Sequence, residues 1–400
     1  MAEKPALVLV LALVALVFAD QAFVGLNDNK TNLVLQPPAG GQVVVDGVAF
    51  RSLVETLNKL ETQVGTLKQQ IATEQCRNVV DNTTITGVSE DSYKWAGGVL
   101  AGNGKIYGIP FYSASVLIID PTTNTADTTT ITGLSGDCCK WAGGVPADNG
   151  KIYGIPHVST SVLIIDPTTN TADTTTITGL SGDGKWIGGV LAGNGKIYGI
   201  PGNSMSVLII DPATNTIDTT TITGLSGSAK WHGGVLAGNG KIYGIPHGST
   251  SVLIIDPTTN AADTTSITGL SGNVKWIGGV LGGNGKIYGM PYLSPSVLII
   301  DPTSNTTDTT TLTGLGGDNA KWSGGVLAGN GKIYGIPFYS ASVLIIDPAT
   351  NTADTITIAN LSGDAKWHNG VLAGNGRVYG IPFSSASVLI VQKVCLVQGL

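Results

Sequence analysis

Seven times in this chain a proline is followed by a variable residue: Phe111, His157, Gly202, His247, Tyr292, Phe338 and Phe383, six of which are planar rings. Such rings stack on sugar faces and anchor protein partners, because they offer large, rigid, amphipathic contact area. The next position varies too and contributes Tyr112 and Tyr339. Two further histidines, His232 and His368, each follow a tryptophan. These ten ring-bearing residues are the candidate ligand-binding set. A second reading stays open, in which the rings tuck between structural units as packing anchors, since Tyr and His are intermediate in burial preference. Exchange of His for Phe within an otherwise rigid repeat tilts the balance toward exposure.

Other chemistries find less support. The four histidines are scattered without metal-ligand spacing, so no metal and no cofactor is expected. No G-x-S-x-G elbow occurs, and the recurring Asp120 and its equivalents read as turn formers bonded to their own backbone. No acid–base carboxylate pair stands out, so the chain is not expected to be an enzyme. Arg51, Arg77 and Arg377 are the only arginines, which removes arginine-cluster recognition of carboxylate or phosphate. A net charge of −6 with no basic run argues against nucleic acid. Seven lysines directly before Trp (Lys94, Lys140, Lys185, Lys230, Lys275, Lys321 and Lys366) form a ring. It could hold an anionic polysaccharide. The favoured reading is of solvated lysines paired with Asp91, Asp137, Asp183, Asp318 or Asp364.

The elements that must position these residues follow from periodicity. Trp95, Trp141, Trp186, Trp231, Trp276, Trp322 and Trp367 recur at spacings of 46, 45, 45, 45, 46 and 45. Repeats of about 40–50 residues with four strands each are the signature of propeller blades. The first unit reads as strand A over 95–101, a Gly102-Asn103-Gly104 turn, strand B over 105–110, strand C over 116–119, a turn opening at Asp120-Pro121, and strand D over 127–132. Beta-branched residues dominate, and Gly or Pro interrupts every short run, so helix is excluded. An all-β, seven-bladed propeller of four-stranded blades results. In an up-and-down blade the BC and DA loops share one face, so the variable positions gather on one rim.

Ring closure is legible as well. The seventh repeat lacks strand D, while Val80–Val88 matches Ala126–Leu134, so the segment ahead of the first blade should supply that strand and remove an open edge. Aligned to the repeat, Cys76 and Cys395 fall in the one missing CD turn, and a disulfide between them would clasp the ring. Cys138 and Cys139 are adjacent, and three fates stay open: a vicinal disulfide, a bond to another chain, or free thiols.

The repeats resemble the kelch family in the Gly-Gly doublet, in Asn103–Tyr107 and in Asp120–Thr125, over roughly residues 79–394. They are also similar to secreted propeller proteins of unicellular algae. The kelch resemblance implies partner binding and carries no catalytic residue across.

Residues 1–19 read as a signal peptide, whose apolar run over 6–19 is too short to span a bilayer, with an uncleaved anchor as the alternative. Residues 20–49 read as an extended segment. Residues 50–75 carry a heptad pattern (Phe50, Leu53, Leu57, Leu60, Val64, Leu67, Ile71) that predicts a coiled-coil stalk and self-association, although Gly65 weakens it. The propeller occupies 76–400. The sequons at Asn29, Asn82, Asn305 and Asn360 predict glycosylation, in keeping with the oxidising compartment that the cysteines imply. The resulting expectation is a secreted, multivalent, lectin-like or adhesive module at the cell surface or in the matrix. Its partner would be a glycan or protein, with no membrane span after signal cleavage. A purely structural coat protein is the alternative, and a polysaccharide-acting enzyme a more distant one.

Overall fold

The computed structural model describes residues 23–26, 33–36, 44–45, 48–49, 58–66 and 76–395, the last range without 135, 137, 317 and 318. The chain divides into two compact units, Met1–Arg77 with Cys395–Leu400, and Asn78–Val394. In the first, Phe23–Leu26 pairs antiparallel with Leu33–Gln36, and Val44–Val45 with Val48–Ala49. Residues 58–66 form a helix on which Leu60 and Val64 are 50% and 47% exposed. The signal segment, most of the heptad stretch and Asn29 lie outside the described residues.

The second unit is the seven-bladed propeller. Blade one consists of strands A (Trp95–Leu100), B (Ile106–Pro110), C (Leu117–Asp120) and D (Thr125–Asp127), paired in that order, and the next five blades repeat it. In the last blade, Trp367–Leu372, Val378–Pro382 and Leu389–Cys395 are completed by Cys76–Asp81 from ahead of the first blade. Hydrogen bonds from Val88 N to Ala386 O and from Val388 N to Ile85 O extend that junction. The expected closure therefore holds. The side chains of Cys76 and Cys395 lie outside the description.

Strand D differs from expectation. It ends at Asp127 instead of beginning there, because the Asp127 carboxylate accepts hydrogen bonds from Thr129 N (2.7 Å) and Thr130 N (3.1 Å) and from both threonine hydroxyls. This Asx turn competes with the ladder and stops it. The same hydrogen bonds, led by that from the Thr130 hydroxyl, hold the Asp127 carboxyl down at about 2.

Glycine sets the centre of the ring. Strand A carries a bulge in which Ala96 and Gly97 oppose Ile109 alone, and Gly97 takes φ +85°. A Cβ on Gly143 would sit 3.1 Å from the Cα of Gly188 in the neighbouring blade, so the innermost backbones touch. Asn369 fills this place in the last blade at φ 61°, a left-handed conformation that Asn tolerates better than other side chains. The seven tryptophans are buried to 3% exposure or less, and each indole N–H donates to a serine carbonyl at 2.7–2.8 Å.

Two devices join blade to blade. In the first, Tyr107 donates to Asn170 Oδ1 of the next blade (2.7 Å) while receiving a hydrogen bond from Asn103 (2.9 Å). The pattern runs around the ring, with Tyr334 reaching Asn78 (3.0 Å) and Tyr379 reaching Asn124 (2.8 Å). Asn124 and its equivalents adopt φ of 51–54°. Glycine would supply that turn equally well, but only Asn adds the acceptor. Tyr379→Phe, which leaves Asn124 Oδ1 short of its donor, should cost about 1–3 kcal/mol. In urea unfolding this should appear as a lower midpoint at unchanged slope.

The second device is a closed belt. Phe111 N donates to Lys94 O, Lys140 N to Phe111 O, His157 N to Lys140 O, and so on through Phe383 N to Lys366 O and Lys94 N to Phe383 O. The bonds alternate, one within a blade and the next across to its neighbour. The seven lysines are part of this belt, and they are not the solvated side chains that the sequence reading favours: they are 1–7% exposed. Lys230 Nζ donates to the carbonyls of Gly202 (2.7 Å), Ser204 (2.9 Å) and Gly227 (2.9 Å). It also lies 5.8 Å from the Trp231 ring centroid. Burial pulls its pKa down to about 8, so it stays protonated at neutral pH and all three protons are shared.

Candidate functional site

The belt fixes the backbone of every residue that follows a strand-B proline, and their side chains then meet around the mouth of the ring. Phe383 lies 5.8 Å from Phe111 and 5.6 Å from Phe338, ring centre to ring centre. Phe111 continues to His157 at 5.5 Å, and Phe338 to Tyr292 at 5.6 Å and on to His247 at 6.3 Å. The circuit breaks only at blade three. There a Cβ on Gly202 would meet Gly184 O at 2.8 Å and Ile187 Cδ1 at 3.0 Å, so the isoleucine occupies the place of a ring.

Inside this circuit stand the residues that follow Trp. His232 lies 5.7 Å from His247 and 5.8 Å from His368, which in turn packs 5.3 Å from Phe383. Phe111, Tyr112, His232, His247, Tyr292, Phe338, His368 and Phe383 line a well of about 410 Å³, with Val274 and Ile277 on the remaining wall, while His157 and Tyr339 lie outside its lining. Tyr93, not singled out from the sequence, also lines it and packs 5.1 Å from Phe383.

Eight of the ten candidates thus meet at the well, with His157 packed on Phe111 and Tyr339 on Phe338 behind them, in graded exposure. Phe338 and Phe383 are nearly covered at 7%, Tyr112 and Tyr339 stand out at 46% and 40%, and Phe111, Tyr292 and the histidines are half-buried. Neither simple reading of the sequence describes this, because the rings pack on one another and also present faces to the well. Burial holds the His368 imidazole down at about 4 and, with the neighbouring histidines, His232 well below its usual range. His157 and His247 are shifted the same way by burial. At neutral pH the cluster is uncharged, so each ring offers one donor and one acceptor. Nδ1 of His368 and of His157 is buried without a hydrogen-bond partner. Among the described residues no carboxylate lines the well, and no three His, Cys, Asp or Glu side chains converge as metal ligands.

Beside the well, Cys138 is exposed and Cys139 half-buried, both as free thiols. The neighbouring thiols raise the pKa of the Tyr112 hydroxyl, while burial pushes Cys139 up to about 11. Of the sequons, Asn305 and Asn360 are exposed and Asn82 half-buried. Asn305 Oδ1 also accepts from Tyr243 at 3.0 Å.

No family model matches the chain, kelch included, and no curated protein matches it. Solved structures share the fold at low identity. A streptogramin B lyase superposes with a TM-score of 0.65 at 12% identity, covering 79% of this chain and 98% of that one. Virginiamycin B lyase of Staphylococcus aureus gives 0.64 at 12% identity over 80% and 100% of the two chains. A catalytically inactive histidine-to-alanine variant of the same enzyme with quinupristin gives 0.61 at 10%, over 80% and 100%. The extracellular domain of a hybrid two-component system from B. thetaiotaomicron gives 0.59 at 10%, over 78% of this chain and 39% of that one. An auxiliary nutrient binding protein from Bacteroides ovatus gives 0.50 at 12%, over 80% and 77%. At such identities the likeness establishes the seven-bladed propeller. It also corrects the expectation that the chain is no enzyme. Lyases are built on this fold, so the lack of a recognisable acid–base pair in the sequence excludes nothing.

Proposed function

We propose that the chain is an extracellular binding module, lectin-like or adhesive, whose ligand seats a flat face against the aromatic well. The observation that carries this reading is the contiguous ring circuit around a well of about 410 Å³ on a hydrogen-bonded belt. Its volume lies in the usual range for small-molecule sites, about 300–1,000 Å³, and its supports are already fixed. Similarity to an extracellular sensor domain and to a nutrient-binding protein supports the same reading. The heptad segment over 50–75 would multiply such sites by self-association, raising avidity without new contacts.

Phe338→Ala together with Phe383→Ala should weaken binding to a glycan array by 10-fold or more. Unchanged binding by a folded double variant would refute a site in the well.

A second reading is favoured by the neutral imidazoles: His232, His247 and His368 could move a proton for a lyase-type elimination. What supports it is the similarity to a lyase whose histidine-to-alanine variant is inactive. Incubation with quinupristin tests it, since consumption lost in His368→Ala would turn the assignment toward catalysis.

A further inference from the structure

Outside the well, the same small cavity recurs at equivalent places in blades two, three and five, with volumes of about 350, 300 and 290 Å³. Each lies between the glycine-rich loop that enters its blade and the Ser-x-Ser loop between strands B and C, with a threonine from beyond strand D at its edge. Two of its hydroxyls are a matched pair: Ser159 and Ser161 are 3.2 Å apart, Ser204 and Ser206 3.2 Å, and Ser294 and Ser296 3.4 Å. The third belongs to Thr174, Thr219 or Thr309, half-buried residues whose hydroxyls make no hydrogen bond. The neighbouring threonines, such as Thr175 and Thr176, are instead held by Asp173. Turn geometry therefore does not account for the unpartnered hydroxyl.

In blades three and five the lysine at the back of the cavity has all three ammonium protons engaged, whereas Lys140 in blade two donates to Phe111 O at 3.3 Å. Lys185 Nζ is directed into the carbonyls of Gly182 (2.7 Å), Val158 (3.1 Å) and His157 (3.2 Å), and Lys275 Nζ into those of Gly272 (2.7 Å), Ser249 (2.8 Å) and His247 (3.0 Å). Among the described residues, a carboxylate, Asp183, lines the cavity of blade three alone. What the three cavities present in common is hydroxyls and backbone carbonyls, backed by an ammonium whose protons are already taken in blades three and five. A ligand matching that surface must both donate and accept several hydrogen bonds, be uncharged, and be small.

We propose that blades two, three and five each carry a peripheral site for one neutral pyranose or comparable polyol, independent of the aromatic well. The hydroxyl of Thr174, Thr219 or Thr309 supplies the open partner, and the serine pair orients the ring.

Native mass spectrometry of the full chain with the methyl glycosides of glucose, galactose and mannose counts the bound copies directly. At least one glycoside is expected to give three or more copies. The isosteric triple variant Thr174→Val, Thr219→Val, Thr309→Val should cut occupancy 10-fold or more with an unchanged melting temperature. Phe338→Ala should leave at least three adducts in place, losing at most the one copy seated in the proposed well, which separates these sites from it. No adduct with any of the three glycosides, a single copy, or full occupancy in a folded triple variant would overturn the proposal. Loss of the adducts on Phe338→Ala would overturn it too, by assigning the binding to the well.

Discussion

Replacing Lys230 by alanine is expected to destabilise the propeller by about 3 kcal/mol, although it removes one of the side chains most often found in water. Three carbonyls, those of Gly202, Ser204 and Gly227, lose the ammonium donor at once, and Gly202 O keeps only the belt bond from the backbone N of residue 230. Each unsatisfied buried acceptor costs about 1–3 kcal/mol, partly offset because a buried charge is removed as well. Lys105, in the turn between strands A and B, is the natural contrast. Its ammonium lies 3.7 Å from Asp120 with 41% of the side chain exposed, and an exposed pair of this kind contributes about 0–1 kcal/mol. Urea unfolding of Lys230→Ala and Lys105→Ala should therefore separate two lysines from the same repeat by 2 kcal/mol or more. Equal midpoints would contradict the buried cage.

The second large effect is acid lability centred on the well. Histidine in an unfolded chain takes its proton near pH 6.5, whereas His368 in the native state is held down at about 4. Between those values the unfolded state binds more protons than the native one. Native stability is thus complete above about pH 6.5 and declines as the pH falls toward 4, by up to about 3 kcal/mol for this one residue. His232, shifted in the same direction, adds to the loss. The carboxyls of Asp127, Asp173, Asp218, Asp263 and Asp308 act in a different window. Held at about 2, they stabilise the native state above about pH 4 and lose that contribution only below it. Thermal melts of the native protein and of His368→Phe between pH 7 and 4.5 isolate the first effect. The variant, with an apolar ring beside Phe338 and Phe383, should show a much flatter profile, and parallel profiles would refute the assignment.

The contrast between what could and could not be read from the sequence has local causes. Strands A to C were legible because each repeats seven times with the same Trp, Gly and Pro punctuation, and the last blade was legible because its missing strand stood at the other end of the chain. The length of strand D was not, since Asp127 was taken as a strand residue although its carboxylate captures the two amides that would have continued the ladder. The lysines were misread because their partners are main-chain carbonyls, which every sequence possesses and none displays. The histidines belong to the candidate set, but that His232 and His368 touch could not be read, because they belong to blades four and seven. They meet because strand A is innermost and its glycines let the backbones touch, so residues beside that narrow ring reach one another across the axis. Only the radius of the ring, and no spacing in the sequence, carries that information.

The last blade, assembled from both ends of the chain, has a consequence for synthesis. Its outer strand, Cys76–Asp81, is made first, and the strand that it covers, Leu389–Cys395, last. At about 5–20 residues per second, the early strand waits roughly 15–60 s on the ribosome with its pairing edge unfilled. A message cut short anywhere in between yields blades that are individually complete but a ring that cannot shut. Every such product carries the same exposed strand near its beginning, a uniform mark by which quality control can tell an unfinished molecule from a finished one.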